Sequence, residues 1–133
     1  MQRAVLDTNV LVSSLVSEYG VPSQLHQAWR RGDFTLITSV YILMELKRIA
    51  RTKLDVTDVQ LSPVLESIRQ LAEVIEPVLV THTGVDEQDL PILGTAVGGR
   101  ADFIVTGDKK LLALGRFDNM AIVTPRDFLN LLQ

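Results

Sequence analysis

Apolar positions along this chain follow two alternating rhythms: short continuous runs bounded by turn residues, and longer stretches spaced by three and four. The first rhythm reads as buried strands and the second as helices packed by one face. The pattern predicts strands at residues 2–6, 34–37, 78–80, 103–105 and 121–123. It predicts helices at residues 8–17, 22–31, 39–51, 57–72, 89–97 and 109–114, and a last one opening at 124–127. Gly20-Val21-Pro22 breaks the first helix, Gly32 stops the second, and Gly98-Gly99 ends the fifth. Pro63 falls near the start of the fourth helix or kinks it. Thr124-Pro125-Arg126-Asp127 is a helix-opening signature: a capping Thr, Pro at the first position, and Asp reaching back from the third. Gly94 falls inside the fifth helix, where glycine costs about 1 kcal/mol relative to alanine.

Strands alternating with helices imply a mostly parallel sheet covered on both faces, a three-layer α/β/α sandwich. Ligands of such sheets bind beyond the carboxyl ends of the strands. The 133 residues suffice for one domain spanning 1–133.

Composition narrows the chemistry. There are no cysteines, which removes disulfides, thiolate metal sites and a Cys nucleophile. The opening residues reach Asp7 too soon for a signal peptide, and no stretch approaches the roughly 18 apolar residues of a membrane span. The expectation is a soluble cytoplasmic protein with no membrane partner. The net charge of −3 argues against a module that binds nucleic acid by charge alone. It argues less against a nuclease whose carboxylates are neutralised by the cations they hold.

Carboxylates stand at informative places. Asp7 directly follows the first apolar strand, and Asp108 follows the strand Phe-Ile-Val-Thr after Thr106 and Gly107. Both therefore fall at the sheet edge where ligands bind. Each also precedes a helix, so a capping role competes for either one alone. Glu45 lies on a helix between Met44 and Leu46, with Tyr41 and Ile42 one turn behind and Arg48 one turn ahead. A carboxylate on so apolar a face needs a partner, either a metal or Arg48. Asp89 opens the helix containing Pro91, and Asp86 competes with it for the capping role. Asp102 precedes its strand, roughly 10–13 Å long, and so falls toward the opposite end of the sheet from Asp108. His26 and His82 sit in an ordinary helix and a turn, and there is no glycine-rich phosphate loop. Oxygen ligands of this kind suit Mg²⁺ or Mn²⁺ and metal-assisted attack on a phosphodiester. Lys47, Arg48, Arg51 and Lys53 follow Glu45, and Lys109 and Lys110 follow Asp108, as solvated helix faces or as phosphate grips.

In order along the chain, these segments resemble the PIN-domain family. Ala-Val-Leu-Asp-Thr-Asn at residues 4–9 resembles its first motif, and the helix bearing Glu45 resembles its second. Residues 89–114 resemble the third and fourth: a helix-initial Asp, a downstream Ala, and a strand ending in Thr-x-Asp. Residues 123–132 resemble its usual last strand and helix. The closest likeness is to bacterial and archaeal toxins of toxin–antitoxin pairs, the VapC-type ribonucleases. The resemblance implies metal ligands at Asp7, Glu45, Asp89 and Asp108, with Asn9 and Thr106 orienting the acids or a water. It further implies Mg²⁺- or Mn²⁺-dependent cleavage of single-stranded RNA, a homodimer, and a small antitoxin partner. Two other readings compete: a catalytically silent PIN scaffold that binds RNA or protein, and an aspartyl phosphotransfer domain. The second lacks support in the residues, because a receiver wants an acidic pair after its first strand and a phosphatase wants Asp-x-Asp, where this chain has Asp7-Thr8-Asn9.

Overall fold

A computed structural model describes residues 1–133. Six strands form one sheet in the order β3-β2-β1-β4-β6-β5. These are β1 (Arg3–Leu6), β2 (Thr35–Ser39), β3 (Glu73–Ile75), β4 (Phe103–Val105), β5 (Arg116–Phe117) and β6 (Met120–Val123). All neighbours pair in parallel except β5 with β6. Around the sheet lie α1 (Thr8–Val16), α2 (Gly20–Arg31), α3 (Val40–Lys53), α4 (Asp58–Leu71), α5 (Leu90–Gly98), α6 (Lys109–Leu114) and α7 (Pro125–Leu132). With the right-handed crossovers that parallel strands take, this strand order puts α1 to α4 on one face and α5 and α6 on the other. The last helix, α7, returns to pack against α2. This is the three-layer α/β/α sandwich with a mostly parallel sheet that the alternation predicts.

The central strands β1, β2 and β4 are apolar on both sides because helices cover both faces. Ala4, Val5, Leu36, Ile37, Ile104 and Val105 are all buried. Phe34 and Phe128 meet edge to face at 5.0 Å beneath α7. Side-chain caps open the helices, one of them the Thr124 cap that the sequence predicts. Ser39 caps α3, Thr57 and Gln60 form a reciprocal capping box on α4, and Thr124 accepts from the Asp127 N–H.

Three elements differ from expectation. Residues 78–80 form no strand; β3 is Glu73–Ile75, mostly exposed and therefore almost without an apolar signal. The short strand β5 was not foreseen, since two residues carry no periodicity. Gly20 opens α2 rather than only ending α1, with φ of +79° that glycine alone adopts freely. The 78–80 segment is taken instead by α5: the Val78 N–H donates to the Gly94 carbonyl at 3.0 Å. A Cβ on Gly94 would lie 2.1 Å from the Val78 carbonyl oxygen, so the helix needs glycine there to let the strap approach.

Candidate functional site

The carboxyl ends of β1 and β4 bring Asp7 and Asp108 to one edge of the sheet. The ladder runs one residue past β1, with the Asp7 N–H donating to the Val105 carbonyl at 3.0 Å. That bond sets Asp7 beside Thr106. Asp7 is only 8% exposed. One of its oxygens caps α1 by accepting from the Val10 N–H at 2.9 Å, and the other accepts from the Thr106 hydroxyl. The same hydroxyl accepts from the Asp108 N–H at 3.0 Å, and the Asp108 carboxylate caps α6 through the Lys110 N–H at 2.8 Å. Capping and site geometry are thus combined in both residues rather than being alternatives.

Asp89 ends a 3-10 turn (Glu87–Asp89) that runs straight into α5. It caps nothing through its side chain. Its Oδ2 is buried and has no hydrogen-bond partner. Burial, reinforced by Asp108 beside it and then by Asp86 and Asp7, pushes the Asp89 carboxyl up to about 6. Burial also raises the Asp7 carboxyl, with Asp108 adding to it, while the bonds from Thr106 and the Val10 N–H oppose the rise. Asp86 faces outward and pairs with Lys110 at 2.9 Å.

Glu45 enters from α3, whose Ile42, Leu43, Leu46, Ile49 and Ala50 are buried and fix the helix's rotation. Glu45 pairs with Arg48 at 3.0 Å. One turn before it, Tyr41 donates its hydroxyl to the Gln88 carbonyl at 2.9 Å, tying α3 to the 3-10 turn that carries Asp89. Tyr41 had no role in the sequence reading beyond being a neighbour of Glu45. Its place one turn back on the same helical face is the signal that identifies it.

One open cleft of about 750 Å³ is lined by Asp7, Asn9, Glu45, Asp89 and Asp108 together, with Tyr41 on its wall. Thr106 lies fully buried beneath it. Asp102 is at the other edge, where it accepts from the Arg3 N–H at 2.8 Å. Neither His26 nor His82 lines the cleft. Of the basic residues, Arg48 and Lys53 reach it, whereas Lys47 lines a separate groove.

The donor set is all oxygen, which suits Mg²⁺ or Mn²⁺. No three acids converge closely enough, as they stand, to chelate one ion. Each is turned to a partner of its own, as packed carboxylates without a counter-ion must be. The unpartnered Asp89 Oδ2 is the exception, a buried oxygen that a cation or a proton would satisfy.

No curated protein matches the sequence. Among solved structures the chain is similar to VapBC2 from Rickettsia felis, bound to a DNA fragment from their promoter, at 18% identity and a TM-score of 0.60. The match covers 91% of this chain and 97% of that one, a likeness of fold. The PIN domain family matches residues 3–110, a span that holds all four acids of the cleft. The chain belongs to the PIN domain family.

Proposed function

We propose that this chain is a divalent-metal-dependent endoribonuclease that cleaves single-stranded RNA. The observation that carries the reading is the gathering of Asp7, Glu45, Asp89 and Asp108 in one cleft, with a buried Asp89 oxygen left unpartnered. In this reading those four acids hold Mg²⁺ or Mn²⁺, and Asn9 and Thr106 orient them. When bound, such an ion activates a water and stabilises the departing oxygen during in-line attack on a phosphodiester. The protein's part is preorganisation. Thr106 and the Val10 N–H fix the Asp7 carboxylate before any ligand arrives. The Tyr41 hydroxyl holds the turn that delivers Asp89. Membership of the PIN family supports nuclease chemistry, and likeness to VapBC2 supports a toxin with a small antitoxin partner; the proposal extends to a homodimer acting in the cytoplasm. No helix is long and apolar enough to cross a membrane.

The test is cleavage of mixed single-stranded RNAs in Mn²⁺ and in Mg²⁺ by wild type, Asp7→Asn and Asp102→Asn. Asp7→Asn should lose at least about two orders of magnitude in rate, the scale of losing one electrostatic element of an active site. Asp102→Asn should retain wild-type rates. Equal cleavage by wild type and Asp7→Asn would refute the assignment of this site.

A further inference from the structure

Helix α3 forms one wall of the cleft, and the residues it presents there recur at helical spacing: Tyr41, Glu45, Arg48, Ile49 and Lys53. Along this face the charged positions change sign, from one acid to two cations. A rise of about 1.5 Å per residue sets Arg48 roughly 4.5 Å and Lys53 roughly 12 Å beyond Glu45 along the axis. The other two cations of this stretch face elsewhere. Lys47 lines a separate groove with Val40, Leu43 and Met44, and Arg51 faces Asp58 at 3.8 Å. The helix thus sorts its cations, two into the cleft and two away from it.

Arg48 is already engaged: its Nη2 donates to Glu45 Oε2 at 3.0 Å. The side chain is 55% exposed, and a pair so open to water is weak and exchanges readily. A guanidinium fork matches a carboxylate or a phosphate equally well, but the same N–H cannot serve both.

We infer that Arg48 and Lys53 form a phosphate-binding track for a single nucleic-acid strand running along α3. In this arrangement Arg48 is the counter-ion of Glu45 when no divalent ion is bound, and passes to a substrate phosphate when Glu45 is given to the ion. The inference rests on the nuclease reading above and deepens it. It makes ion binding and strand binding linked events, each strengthening the other by the same factor.

Two measurements on the intact protein test it: Mn²⁺ uptake by calorimetry, and binding of a labelled single-stranded DNA of mixed sequence at several salt concentrations. DNA serves because the track reads phosphates only. Wild type should bind the strand more tightly with Mn²⁺ than without it. Arg48→Gln should take up Mn²⁺ several-fold more tightly, since Glu45 loses its competitor. It should also bind the strand more weakly in Mn²⁺, with a salt slope shallower by about 0.7, the loss of one phosphate contact. Lys53→Gln should flatten the slope alike. Lys47→Gln removes the same charge from another face of α3 and should leave both readouts at wild-type values. Wild-type Mn²⁺ affinity in Arg48→Gln, or an equal slope loss in Lys47→Gln, would overturn the inference while leaving the nuclease reading intact. A wild type that takes up no Mn²⁺ at all would overturn that reading, and the inference with it.

Discussion

Asp7 and Asp108 are joined through a single hydroxyl. Thr106 donates it to Asp7 and, with the same oxygen, accepts from the Asp108 N–H at 3.0 Å. The ends of two neighbouring strands are therefore locked at the point where the cleft begins.

Thr106→Val keeps the side chain's shape and removes that link. It leaves a buried carboxylate oxygen and an N–H short of a partner, at a cost of about 1–3 kcal/mol. Urea unfolding should show the loss in Thr106→Val and its near absence in Thr106→Ser. A valine variant as stable as wild type would mean that Asp7 is held by the Val10 N–H alone.

Metal should stabilise the fold at neutral pH, because a cation offsets the cost of keeping Asp7 and Asp89 ionised where burial first, and neighbouring carboxylates second, raise them. At a metal concentration about 100 times the dissociation constant, the gain is about 2.7 kcal/mol. Thermal melting with Mn²⁺ against EDTA reads it. The same shift in an Asp7→Asn/Asp108→Asn double variant would place the binding elsewhere.

Asp89 also gives the ion-free protein a pH signature. Its carboxyl rises from 3.8 to about 6 on folding, so the fold favours the protonated form. The stabilisation from this group is complete below about 4 and is lost as pH rises through about 6. Glu73, held low by Arg3, works in the opposite direction, so the comparison must be between variants. In EDTA, the melting temperature of Asp89→Asn relative to wild type should climb between pH 4 and pH 6. A constant difference across that window would contradict the burial of Asp89.

Gly94→Ala should destabilise the protein despite the better helix propensity of alanine. The new Cβ meets a backbone oxygen at 2.1 Å, and backbone cannot move aside cheaply. Overpacking of this kind costs about 1–3 kcal/mol, against about 1 kcal/mol gained in propensity. Urea unfolding of the single variant decides the sign, and a stabilised Gly94→Ala would show that the backbone at Val78 yields.

Much of this was legible in the residues. Asp7 and Asp108 announced themselves because a buried strand has a readable end, and whatever follows that end lies at the sheet's edge. Glu45 was visible as a carboxylate on an apolar helical face. What escaped was decided by tertiary contact. Val78–Val80 looks like a strand because it is apolar, yet Leu79 is 92% exposed and Val78 gives its N–H to a helix. The true edge strand, Glu73–Ile75, carries an acid and an exposed valine, and only its pairing with β2 defines it. Asp89's unpartnered oxygen had no sequence signal, since capping is what a helix-initial Asp ordinarily does.

The close approach at Gly94 has a further consequence for how such chains diverge. Val78 is fastened to α5 at one end of the long connection, and the turn carrying Asp89 is continuous with the same helix at the other. Both ends of residues 79–86 are thus anchored on one rigid rod. Residues 79–86 line no part of the cleft, so the length of this loop can change while Asp89 stays where it is. A helix fastened at both of these points thus separates the tolerance of the loop from the precision of the acids.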